Sequence, residues 1–166
     1  MTMNEWLEGE GNSGSWVPGD VTSRLEECLR ELWSVENLTQ EFNGDYQFAW
    51  GAESCWVRVL GDDSHNVAVF GNVLLGVEQT YELLFELNEM NSRTRMAHVY
   101  WLDGAVVACV QFDWNDIEVE HLRSAVNSVA YTCAELGPAM AIMHGGVSMS
   151  AGTPYRPAIA PGAADD

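Results

Sequence analysis

The sequence predicts an α+β domain, a two-layer α-β-β-β-α-β-β-α order in which an antiparallel sheet carries helices on one face. Three observations lead there. Residues 25–33 and 119–136 repeat apolar side chains at helical spacing. Between them, residues 46–50, 54–60 and 66–73 form short apolar runs of strand length, broken by turn formers. Asp103-Gly104 then separates two further apolar runs. That dipeptide is a strong hairpin signal, because a two-residue type I′ turn needs positive φ at both central positions.

The first helix opens on Ser23 with Glu26 three residues on, a capping-box pattern. Leu25, Cys28, Leu29, Leu32 and Trp33 follow at i, i+3, i+4, i+7 and i+8 and make one core stripe. Asn43-Gly44-Asp45 ends that region, and Gly51 and Gly61-Asp62-Asp63 separate the three strands. A second helix is predicted over 77–91. Its apolar surface is wider than one stripe, with Tyr81, Leu84 and Phe85 on one side and Leu83, Leu87 and Met90 beside them. Asn91 is suited to end it, since asparagine tolerates left-handed geometry, and Asn88 to satisfy nearby strand or loop backbone.

Centring the hairpin on Asp103-Gly104 sets Trp101 opposite Val106, Val99 opposite Ala108 and Ala97 opposite Val110. That face is wholly apolar and is the predicted core face. The other carries His98, Tyr100, Leu102, Val107, Cys109 and Gln111, an amphipathic set. A slip of one residue would exchange the two faces. Asn115 with Glu118 is expected to cap the last helix, whose stripe is Val119, Leu122, Val126, Val129, Ala130, Cys133 and Leu136. Gly137-Pro138 should end or kink it, with a short helical turn before Gly145-Gly146.

At 166 residues the chain suits one domain, long enough to bury about 68–70% of its unfolded surface. The expected division is a flexible acidic segment over 1–20, a single domain over 21–146 and a disordered Ala/Gly/Pro-rich tail over 147–166. Trp6 and Trp16 are unusual in a solvating segment and suggest folding back or docking.

The net charge is −18, with 25 acidic residues against 7 basic ones, all arginine. Nucleic-acid phosphates and anionic lipid would be repelled, whereas solubility or a basic partner is favoured. The first ten residues lack the pattern of a secretory signal, and no apolar run approaches the ~18 residues of a membrane span. Cys28, Cys55, Cys109 and Cys133 are widely spaced within apolar patterns, as buried free thiols in a reducing cytoplasm would be.

Chemistry finds little purchase. His65, His98, His121 and His144 are scattered, without a His-Glu-x-x-His or Cys-x-x-Cys pattern. Gly71 and Gly76 lack the Lys-Ser/Thr of a phosphate loop. Asp62-Asp63 and Asn115-Asp116 offer oxygen ligands but are better read as turn formers. The expectation is no catalytic residue, no metal and no cofactor.

Leu87-Asn88-Glu89-Met90-Asn91, the hairpin 97–112, the helix 122–136 and His144-Gly145-Gly146 stand in an order that resembles the YbjN-like proteins. These are grouped with type III secretion chaperones as peptide-binding chaperones. The resemblance covers roughly the last half of the folded region, with Asn88, Asn91, Asp103 and Gly104 as its structural motif. It implies a type III secretion chaperone-like fold and a homodimer that holds a segment of a client protein. The sheet face left without helices would serve as the peptide-binding site, through Trp56, Arg58, Tyr100, Leu102 and Val107, with Cys109 among them. A small-molecule or ion-responsive sensor using the same face is the alternative, and an acidic surface mimic acting as a regulator is a third reading.

Overall fold

The computed structural model describes residues 19–38, 40–41, 44–50, 53–60, 66–94 and 97–148. Trp6, Trp16, the Gly61-Asp62-Asp63 turn, His65 and residues 149–166 lie outside the described residues. The elements are α1 (Gly19–Trp33), β1 (Tyr46–Trp50), β2 (Glu53–Val59), β3 (Asn66–Leu75), α2 (Tyr81–Arg93), β4 (His98–Leu102), β5 (Ala105–Asp113), a 3-10 turn (Trp114–Asp116) and α3 (Val119–His144). The five strands form one antiparallel sheet in the order β1-β2-β3-β5-β4.

The hairpin has the predicted register. Asp103 and Gly104 take φ of 48° and 81°, the positive pair a type I′ turn requires. Trp101 pairs with Val106, Tyr100 with Val107 and Val99 with Ala108. From that parity follow the two sheet faces. Val99, Val106 and Ala108 join Phe48, Cys55, Val57, Val67 and Val69 in the main core. Leu25 and Leu29 of α1, Leu83 and Leu87 of α2, and Leu122, Val126 and Val129 of α3 close it from the helical side. Trp101 is only half-buried and anchors the start of α2 through its indole N–H, which donates to the Val77 carbonyl at 3.0 Å.

The helix ends depart from expectation. α1 already includes Ser23, so that residue does not cap it. Thr80 caps α2 instead, its hydroxyl accepting from the Leu83 N–H at 3.2 Å. Asn115 sits in the 3-10 turn, where the Asp113 carboxylate accepts its backbone N–H at 2.8 Å. Glu118 occupies the cap position of α3 without a side-chain cap bond.

Most informative is α3, which continues through Gly137-Pro138 to His144 instead of ending there. Pro138 is exposed, so the donor it lacks costs one helical bond at the surface. Gly137 is there for closeness: a Cβ would lie 2.3 Å from the Ser148 hydroxyl and 3.0 Å from the Val73 carbonyl. Val147 and Ser148, expected in the tail, belong to the fold. Val147 exchanges two backbone bonds with Leu75, and Ser148 is buried beside Gly137.

Candidate functional site

The sheet face away from the main core is read by following one row of paired residues across all five strands. Gln47, Trp56, Phe70, Cys109 and His98 are successive partners. Arg58, Ala68 and Gln111 form the adjoining row on one side, and Asn72, Val107 and Tyr100 that on the other. With Leu102 paired to Ala105 beyond them, the residues expected at the site share one face.

They are not equally accessible. Phe70 and Val107 are each 1% exposed, Arg58 6% and Leu102 8%. The open platform suggested by the alternation is therefore a second small core of Ala68, Phe70, Ala105, Val107 and Cys109. Arg58 is drawn inward by Asp45, just before β1. Its Nη2 donates to Asp45 Oδ2 at 2.7 Å, and its Nε donates to Oδ1. The guanidinium carbon lies 5.7 Å above the Phe70 ring. Trp56 stacks on Phe70 with centroids 5.9 Å apart, and its indole N–H reaches Glu41 Oε1 at 3.4 Å. Arg58, Leu102 and Val107 thus support the surface from beneath, while Trp56 and Tyr100 stay half-exposed. The missed residue is Phe70. Its signal was the unbroken run Val67-Ala68-Val69-Phe70, the mark of a strand covered on both faces.

The open part of the site is at the sheet edge. β4 pairs with β5 only as far as His98–Cys109, whereas β3 follows β5 to Asp113. Val99 directs its backbone groups away from β5, because both are bonded to the Asn91 side chain. Residues 105, 107 and 109 therefore face β4, and by the same alternation Gln111 and Asp113 point to that side beyond its end. Among the described residues no strand covers them. A cavity of about 640 Å³ wraps this notch, lined by His98, Tyr100, Gln111, Phe112, Asp116 and His121, with Cys109 and Ala125 deeper in. Burial pushes the Cys109 thiol up to about 11, and raises the Tyr100 hydroxyl, which bonds to it. Both remain protonated at neutral pH, so neither is an activated nucleophile.

The outer edge of β4 is blocked at Val99. The Asn91 carboxamide imitates a partner strand, its Nδ2 donating to the Val99 carbonyl at 2.7 Å and its Oδ1 accepting the Val99 N–H at 2.8 Å. Asn91 lies inside α2, which ends at Arg93, so it does not terminate the helix as expected; Asn88 is exposed. Asn91→Ala should leave both Val99 groups without their partner, at about 1–3 kcal/mol. Urea unfolding and amide exchange at Val99 would measure this. A loss below about 0.5 kcal/mol would mean that solvent serves that edge equally well.

Among the described residues, no group of three or more His, Cys, Asp and Glu side chains is placed to hold a metal ion. No helix among them is long and apolar enough to cross a membrane.

A family model described as T3SS (YopN, CesT) and YbjN peptide-binding chaperone 1 matches residues 19–152. No curated protein matches the chain. Several solved structures share the fold. The HopA1–SchA chaperone–effector complex aligns with a TM-score of 0.55 at 11% identity, over 70% of this chain and 92% of that one. The Yersinia pestis type III secretion chaperone SycH, in complex with a fragment of YscM2, gives 0.52 at 17%, over 70% and 98%. The ExsC–ExsE complex gives 0.57 at 12%, over 74% and 94%. At these identities the likeness is one of fold.

Proposed function

This chain belongs to the T3SS (YopN, CesT) and YbjN peptide-binding chaperone 1 family, and we propose that it is a non-catalytic chaperone or adaptor that holds a segment of a client protein at the notch where β5 outruns β4. The observation that carries this reading is the main-chain edge at Gln111 and Asp113, which no strand among the described residues covers, beside a large cavity. An extended segment placed there would continue the sheet, its backbone bonding to β5 and its alternate side chains entering the cavity. Tyr100 and Trp56 supply aromatic contact along the adjoining face, and Arg58, Leu102 and Val107 hold that face rigid from below. The solved likenesses include one complex of a chaperone with an effector, which supports a protein client here.

The same proposal includes self-association through the outer side of α2. Tyr81 is 78% and Phe85 56% exposed, their rings stacked 6.3 Å apart, with Leu84 exposed next to them. Such a patch on a single chain suits a homodimer contact. The cytoplasm is the proposed location, in keeping with four free thiols.

The test uses fluorescein-labelled heptapeptides, valine alternating with threonine or a charged residue, and reads anisotropy with the full chain. N-methylation of the peptide on one alternate set of residues should abolish binding, and on the other set leave it intact. Tyr100→Ala should weaken binding about thirtyfold, the effect of losing a 2 kcal/mol aromatic anchor. Binding insensitive to the position of the methyl groups would show that no strand is added, and would overturn the reading.

A further inference from the structure

We propose that the side chain a bound segment places in the notch is basic, arginine above all, and that Asp116 selects it. This rests on the strand docking proposed above and adds the chemistry of the residue that docks.

The cavity is polar where it opens and apolar where it deepens. Phe112, half-buried on the helical side of β5, presents a ring to a flat cation there, while Tyr100 and Gln111 line the cavity from the other face of the sheet. Asp116 supplies the carboxylate. Its backbone carbonyl is bonded to His121 Nδ1 at 2.8 Å, which joins the 3-10 turn to the first turn of α3. No cation among the described residues pairs with its side chain, although Arg30, Arg58, Arg93 and Arg123 each have an internal carboxylate partner. The chain as a whole carries 25 acidic residues against 7 basic ones, so the field at the notch is not neutralised from afar.

A guanidinium satisfies these features together. It pairs with a carboxylate in a planar fork and stacks on an aromatic ring, which a lysine ammonium does less well. An acidic side chain would be repelled by Asp116. An aliphatic one would cover Asp116 without giving it a partner.

The experiment compares three labelled heptapeptides, Val-Thr-Val-X-Val-Thr-Val with X as arginine, leucine or glutamate, against the full chain at fixed salt. Arginine should bind at least about tenfold more tightly than either of the others, the ratio expected of one added charge-assisted hydrogen bond. Asp116→Asn should remove that preference, and Asp116→Arg should transfer it to the glutamate peptide. Glu27→Gln, an exposed change on α1, removes the same unit of charge and should leave the preference in place. Three peptides binding equally, with N-methylation still blocking them, would overturn selection by Asp116 while leaving strand docking intact. An arginine preference that survives Asp116→Asn would overturn it too, assigning the effect to net charge. If none of the three binds, docking at the notch fails, and this inference fails with it.

Discussion

Phe70→Ala is expected to destabilise the protein by about 3–5 kcal/mol, although Phe70 points away from all three helices. The ring is 1% exposed, lies beneath the stacked indole of Trp56 and carries the Arg58 guanidinium above it. Truncation opens a void inside the second core and leaves two large side chains without the surface they rest on. Neighbours anchored in a β-sheet cannot collapse far into such a void, which places the cost in the upper part of the usual range. Urea denaturation should show a lowered midpoint at unchanged slope. A loss under about 1 kcal/mol would mean that this face is an open surface, and the division between supporting and accessible residues would have to be redrawn.

The second large effect concerns the buried ion pair. Arg58→Ala should cost about 3–5 kcal/mol, because it strands the Asp45 carboxylate in a site that water hardly reaches. Asp45 is 2% exposed, so water cannot readily take the place of the guanidinium. The loss should also loosen the chain at Glu41 and Asp45, where the Asp45 carbonyl accepts the Glu41 N–H at 2.8 Å. Hydrogen exchange would report that loosening apart from global unfolding. The double variant Asp45→Leu, Arg58→Met should recover much of the loss, since it removes the desolvation cost together with the attraction. A double variant as unstable as Arg58→Ala would show that the pair is replaceable only by its own geometry. Because Arg58 lies over Phe70, the two large effects should not add in a combined variant.

Much of the fold was legible because its strongest signals are local. A two-residue turn at Asp103-Gly104 admits one register, and that register assigns every residue of β4 and β5 to a face. The strand runs and the two long amphipathic helices follow from period 2 and period 3.6 in the same way. Helix ends were less legible. Ser23 and Asn115 each have a capping residue's chemistry, but a cap acts only where the helix begins: Ser23 lies inside α1, and Asn115 lies in the 3-10 turn before α3. Gly137-Pro138 reads locally as a stop; against Ser148 and the Val73 carbonyl, the glycine instead allows a close approach that α3 needs. Asn91 has the left-handed tolerance of a helix terminator, yet it acts through its side chain on Val99, eight residues on.

The sequence by itself determined the order of elements, the hairpin register and which side chains share a sheet face, including Trp56, Arg58, Tyr100, Leu102 and Val107. It also determined the acidic balance, with a net charge of −18. Only the tertiary structure decided which of those side chains are accessible. Asp45 draws Arg58 inward, Phe70 fills the centre of the face, and β4 ends short of Gln111 and Asp113 to leave the notch. The physical reason is that periodicity belongs to one strand or helix at a time. Burial depends on residues brought together from distant parts of the chain, and no local spacing records which of them will meet.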